Sequence, residues 1–455
     1  MPSRLSLSVV VACAVAFCAT SVLAQGALKA GAGKAVITPA NPIWLAGYAA
    51  RTAPSDGKLH DLFAKAIAIE DETGARTVVL AMDLLGLPAA MVRDLAARVK
   101  EKFGVPRERL MVTFTHTHSA PVIDADRTID MYGLEETQAK IVAEYSRALP
   151  DLLLDAIGKA LGSIEPCRLE YGIGTASFAI NRRQPLPAGV TIGTNPAGPI
   201  DHDVPVLRIA RADGTIKAVL FGYACHNTTL ALQKICGDYA GYAQACIEER
   251  MPGAVALFVT GCGADQNPHP RRKIEDAENH GKALADAVAA VLGGPMKAVA
   301  GPVRAAYEEA TLTFSAPPSR ADIEKQLADQ NIYVQRRARR LLGILDARGS
   351  LPVEYPYPVQ VLKFGDALVM AALAGEVVVD YSLRLKRELG GKECAWIIGY
   401  ANDFCAYIPS LRVLKEGGYE GGDAMVYFGF HGPWAPTVEE NVVAAVHRLV
   451  ARLKK

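Results

Sequence analysis

The chain lacks most of the features that make a function easy to read. It has no CxxC pair, which removes a zinc ribbon from consideration. Its nine cysteines are scattered, and Cys13 and Cys18 fall in the N-terminal leader described below. The others, Cys167, Cys225, Cys236, Cys246, Cys262, Cys394 and Cys405, are an odd number spread too widely for a dense disulfide framework. One or two bridges could still form after export. No basic tract points to nucleic acid, and no acidic tail points to a solvated arm. Lys+Arg is 49 against Asp+Glu 48, and removing Arg4 with the leader leaves 48 against 48. A polyanion gripped by bulk charge is therefore not the expected substrate. No internal repeat, low-complexity tract or Pro/Gly/Ser-rich linker divides the chain. After the leader, no apolar run is long enough to span a bilayer.

Half of the 455 residues are apolar, enough for a large buried core. Residues 1–24 read as a secretory signal: Arg4 gives a small positive end, Val9 to Phe17 an apolar stretch, and Val22-Leu23-Ala24 a small-residue cleavage site before Gln25. The mature protein is expected to be periplasmic or secreted. Strand-like and helix-like segments alternate through the rest. Strands are predicted over Thr77–Leu85, Arg109–Phe114 and Val255–Val259. Hairpins are predicted around Asp213-Gly214 (Val204–Ala210 with Ile216–Ala224) and around Gly365-Asp366 (Val359–Phe364 with Ala367–Leu373). Helices are predicted over Ala89–Phe103, Glu135–Leu161, Ala277–Leu292 and the Arg-rich stretch Ser319–Leu345. The last helix should open with a capping box at Thr437-Val438-Glu439-Glu440. The fold class is α/β, a layered domain of mixed sheets with outer helices, expected as a single unit over residues 25–455.

Chemistry concentrates where apolar runs stop. Leu110 to Phe114 leads into Thr115-His116-Thr117-His118-Ser119, and residues i and i+2 of a strand share a face, so two imidazoles emerge side by side. They could be two ligands of one metal, one ligand and one proton shuttle, or two ordinary loop histidines. Phe221 to Cys225 ends in His226, Leu257-Phe258-Val259 leads to Asp265 and Asn267, Leu373 leads to Glu376, and Trp396 to Tyr400 leads to Asn402, Asp403 and Tyr407. Sites gather beyond strand ends because rigid strands fix the loops there. Two or three histidine nitrogens with one Glu oxygen suit zinc with a position open for water, and Asp265 or His118 could then manage the proton. His60, His202, His280 and His447 lie in loops or helical patterns and are expected to be ordinary residues.

Taken in order, these motifs resemble the N-terminal catalytic domain of the neutral/alkaline non-lysosomal ceramidase family. The resemblance begins at Gly33 to Pro39. It is sharpest at the His116–His118 segment, Ile180-Asn181-Arg182, the His226 strand, Gly375-Glu376, Asn402 to Tyr407 and Gly418-Tyr419-Glu420. That family is a zinc amidase cleaving the N-acyl bond of ceramide. The resemblance implies one zinc per chain held by His116, His226, Glu376 and Tyr407, with Tyr419, His118 and Arg182 lining the active site. Three departures qualify the transfer. The family's serine nucleophile is replaced by Asn267, which cannot carry an acyl group but could donate to an oxyanion. The rim motif becomes Asn181-Arg182-Arg183-Gln184-Pro185, and the C-terminal immunoglobulin-like domain is not expected. The expected function is thus hydrolysis of an amide or ester bond in a small or lipid-like substrate by water activated on zinc. The alternatives are a true ceramidase acting on N-acylsphingosine and a non-catalytic protein that keeps the metal as a clip.

Overall fold

The near-continuous apolar runs seen in the sequence become strands buried on both faces. A computed structural model describes residues 28–124 and 131–454, so the leader at 1–24 lies outside the described residues. In Arg76–Met82, Val78, Leu80 and Met82 face one way and Val79 and Ala81 the other, as the two-residue period requires. The first set packs with Val92, Leu95 and Val99 of the helix Ala89–Phe103 and with Leu149 and Leu153 of the helix Glu136–Gly162. The second set packs against Met370, Ala372, Trp396 and Ile398 of another sheet. Each fully buried aliphatic side chain contributes on the order of 1.5–3 kcal/mol of transfer free energy. Layers of sheet with helices outside are the result, as the α/β expectation required.

The larger sheet has nine described strands. Their spatial order is Val255–Thr260, Ile216–Tyr223, Asp203–Arg211, Glu165–Thr175, Lys29–Val36, Phe63–Glu70, Arg76–Met82 and Leu110–Phe114, with Lys297–Val299 beside Glu165–Thr175. Its middle is joined by two pairs alone, Lys29 with Pro166 and Ala30 with Glu165. The halves therefore fold back on one another, and Thr260 Oγ1 at one end reaches the Phe114 carbonyl at the other, 2.9 Å away. That return brings the ends of the His116 and His226 strands together.

A four-stranded sheet, in the order Val303–Thr313, Glu354–Phe364, Leu368–Leu373 and Ala395–Ile398, packs its outer face on the helix Val438–Arg452. It joins the larger sheet through the Thr113–Ala401 bridge and through Asn402, which accepts from the Val112 N–H and donates to Gln360. Asn402 and Asp403, which the sequence grouped with the chemistry, do structural work here. Asp403 Oδ1 takes the Ala89 N–H at 2.7 Å, where Pro88 offers the helix start no side-chain cap.

Two local expectations fail for physical reasons. The Ser319–Leu345 helix is interrupted: Arg320–Lys325 and Ile332–Arg348 are separate, because Asn331 turns extended and caps the second through Tyr333 N–H at 2.9 Å. The capping box at Thr437 does not form, since Thr437 is itself helical (φ −79°, ψ −4°). Arg384 draws both Glu439 and Glu440 away instead. Cys167, Cys225, Cys236, Cys246, Cys262 and Cys394 carry free thiols. Among the described residues, no helix is long and apolar enough to cross a membrane.

Candidate metal centre

Four side chains meet where the two sheets join. His116 leaves Leu110–Phe114 with φ 58°, a left-handed conformation that costs a non-glycine residue roughly 1–3 kcal/mol. Its N–H is held by Leu84 O, and its Nδ1 lies 2.9 Å from Leu85 O. A carbonyl can only accept, so Nδ1 carries the proton and Nε2 presents a lone pair inward. His226 follows the same rule, with Nδ1 2.9 Å from Gly263 O. Glu376 and Tyr407 sit opposite each other in a short parallel ladder, which projects both to one side. Gly375 makes the preceding turn at φ 70°, where a β-carbon would stand 2.4 Å from Ala406 O. Glu376 Oε2 ends 3.0 Å from His226 Nε2 and 3.3 Å from His116 Nε2. The Tyr407 hydroxyl lies 3.4 Å from His226 Nε2.

The protonation states leave the contact between His226 and Glu376 without a proton. Burial, with the Arg182 charge nearby, lowers His226 to about 4. Burial would raise Glu376, yet the facing imidazoles hold it well below the usual carboxylate range. Near neutrality an ionised carboxylate therefore faces an uncharged His226, and Glu376 Oε2 is buried with no hydrogen-bond partner. Converging lone pairs of this kind are unfavourable alone and fit a divalent cation. His118 joins the group: the nitrogens of His116, His118 and His226 lie within 4.8 Å of one another, and His118 Nε2 is 3.2 Å from His116 Nε2. Its ring packs on Tyr48, in space that Gly47 keeps open. Burial and the neighbouring histidines push its pKa well below normal.

A second layer stands behind the cluster. Arg182 donates to the Tyr407 hydroxyl at 3.0 Å, to Glu420 at 2.7 Å and to Asn267 Oδ1 at 3.4 Å. Burial drives the Tyr407 phenol far up, and the Arg182 charge opposes it. Arg183 donates to the other Glu420 oxygen at 2.7 Å, so one buried carboxylate serves two buried guanidiniums. Asn181 is buried, donates to Pro199 O and Asp265 Oδ2, and accepts from Arg183 N–H. Asp265 accepts from Val379 N–H at 2.8 Å and is pushed up to about 7 by burial.

Above the donors lies a cavity of about 360 Å³. His116, His118, His226, Glu376, Tyr407, Arg182, Asn267 and Tyr419 line it, with Leu85, Ile123, Met131, Phe404 and Phe428 on its walls. Of the ten residues expected to bind metal or substrate or to take part in the chemistry, Asn181 and Asp265 are behind the cavity rather than in it, and the other eight line it. His60, His202 and His280 spend a ring nitrogen on carbonyls of Asp61, Ala179 and Pro270, and His447 pairs with Glu388. Sequence reasoning missed Glu420 as the partner of Arg182 and Arg183, and it missed Tyr48, Arg271 and Arg272 on the cavity wall. The Arg182-Arg183 doublet was the available signal for Glu420, since two buried cations require an acid.

Residues 28–305, more than half of the chain, match the sequence pattern described as neutral/alkaline non-lysosomal ceramidase, N-terminal. The crystal structure of neutral ceramidase from Pseudomonas aeruginosa superposes with a TM-score of 0.72 at 21% identity, covering 93% of this chain and 75% of that one. A structure described as ceramidase complexed with C2 gives 0.71 at 20% identity, covering 93% and 76%. A search of curated proteins finds no match.

Proposed function

The chain belongs to the neutral/alkaline non-lysosomal ceramidase family, and from that premise we propose an exported, zinc-dependent hydrolase of amide or ester bonds in a lipid-like substrate. The observation that carries this reading is the convergence of His116 Nε2, His226 Nε2 and the unpartnered Glu376 Oε2 under an apolar cavity. Export rests on the leader pattern at Arg4, Val9 to Phe17 and Val22-Leu23-Ala24. Imidazole and carboxylate donors suit zinc, which when bound lowers the pKa of a water and polarises a carbonyl.

In this reading His116, His226, Glu376 and Tyr407 hold the ion. Leu85 O and Gly263 O fix the imidazole tautomers, and Arg182 favours the ionised form of Tyr407. His118, uncharged near neutrality, is placed to take a proton at a ring nitrogen and return it to the leaving group. Tyr419 and Asn267 line the same cavity and face the oxygen that gains charge. Asn267 Oδ1 is turned to Arg182, so its amide nitrogen is the end that can donate. Asp265 and Asn181 act as positioning residues: they pin the Arg182 backbone, whose N–H donates to Asp265 O at 2.7 Å.

The reading is tested by metal analysis of purified protein and a screen of N-acyl amides and esters; turnover that survives complete metal removal would contradict it. Two further outcomes follow from the residues. Tyr419→Phe should lower kcat on the order of 10²-fold with metal content intact. If metal is lost instead, Tyr419 belongs among the ligands and Tyr407 does not. With Asn267 in place of a serine, product should form linearly from the first turnover. A pre-steady-state burst, or an acyl adduct found by mass spectrometry, would exclude direct attack by water.

A further inference from the structure

The wall of the cavity carries two cations that the proposed hydrolysis does not use. Arg271 and Arg272 follow Asn267 by four and five residues and both line the cavity. Every other charged group there has a role: Arg182 is matched by Glu420, and Glu376, the only carboxylate on the lining, belongs to the donor cluster. Among the described residues, neither Arg271 nor Arg272 makes an ion pair. Arg271 Nε is buried with no hydrogen-bond partner. Asp238, whose charge the Tyr48 phenol also feels, is turned away, with its oxygens taken by the N–H groups of Thr229, Leu230 and Tyr239.

The arrangement is built rather than incidental. Arg272 holds φ at 102°, a region a side chain rarely adopts, and its N–H is pinned to Thr229 O at 2.8 Å. Its guanidinium lies 5.9 Å from the centre of the Tyr48 ring, and that of Arg51 lies 5.2 Å from the same ring. Arg51 and Arg271 are half-buried while Arg272 is exposed. The one carboxylate on the cavity lining is committed to the donor cluster, so the positive charge there is left for an anion to offset. A planar guanidinium matches a carboxylate through two parallel hydrogen bonds, so a pair of them favours an oxyanion over a neutral hydroxyl.

We infer that the substrate is an anionic amphiphile, with a carboxylate-type head on Arg271 and Arg272 and an apolar chain along Leu85, Ile123, Met131, Phe404 and Phe428. The inference rests on the hydrolase reading insofar as the anion belongs to a substrate, but the anion seat is testable by binding alone. The probes are N-dodecanoylglycine and N-dodecanoylglycinamide, which share the chain and the internal amide and differ in the charge of the terminus. Calorimetry on the metal-loaded protein should show the acid bound at least about tenfold more tightly; where turnover occurs, kcat/KM should show the same ratio. Arg271→Gln/Arg272→Gln should bring that ratio to within about twofold, and Arg271→Lys/Arg272→Lys should retain most of it. Equal affinity, or no saturable binding of the acid, overturns the inference. So does a preference unchanged in the Gln variant, which would place the carboxylate on the metal. Preferential binding without any turnover would keep the anion seat and sink the hydrolase reading. Turnover of both amides at equal kcat/KM would do the reverse.

Discussion

Replacing His226 by alanine should leave protein with almost no zinc, against about one ion per wild-type chain by elemental analysis. His226 Nε2 lies 3.0 Å from Glu376 Oε2, nearer than His116 Nε2 at 3.3 Å, and its ring is fixed by Gly263 O, so its loss removes the donor that faces the carboxylate most closely. Turnover should fall with the metal. His116→Ala should behave alike, and full occupancy in both variants would remove the central claim. His118 separates two arrangements of the same cluster. If it handles the proton, His118→Ala keeps its zinc and loses rate. If it ligates, the metal goes as well, and Tyr407 need not be in the shell.

Glu420→Gln should cost about 3–5 kcal/mol of stability, because it leaves the buried Arg182 without a carboxylate and Arg183 with the half-buried Glu416 alone. Chemical denaturation of wild type and variant in parallel gives the difference. Its pH dependence has a definite sign. Burial alone would raise Glu420, but Arg182 and Arg183 hold it below the ordinary carboxylate value. A carboxyl depressed in the folded state stabilises fully above its unfolded pKa of about 4.3, and that contribution disappears as pH falls through the folded value. The gap between wild type and Glu420→Gln should therefore be widest near neutrality and close in acid. Identical denaturation midpoints at pH 7 would show that Glu420 does not carry the pair.

The parts of this architecture that depend on neighbouring residues were legible in the sequence. Short apolar runs bounded by turns marked the strands, and polar residues after Phe114, Tyr223 and Leu373 marked the edge where His116, His226 and Glu376 meet. Tyr407 was reached by family resemblance, since nothing in Tyr407-Ile408 itself distinguishes a cavity tyrosine from a core one. What depended on distant pairing was not legible. No local pattern says that the larger sheet is joined by two residue pairs and folds back, nor that Glu420 sits beneath Arg182 from 238 residues away. Local rules also failed where a remote partner intervened, as when Arg384 drew Glu439 and Glu440 away from Thr437. The backbone carbonyls that orient the imidazoles carry no sequence signature at all, because every residue has one.

The ladder that pairs Glu376 with Tyr407 lies beyond residue 305, where the family pattern ends, while both anchored histidines lie before it. The donor set is thus divided between two stretches of chain that touch only through folded tertiary contacts. A polypeptide cut between the strand Val303–Thr313 and the strand Glu354–Phe364 would yield two pieces, each with half of the proposed ligands. Neither piece should retain zinc, yet mixing them should reconstitute it. Metal uptake would then serve as a gauge of reassembly, with the ion acting as the rivet between halves that share no covalent link.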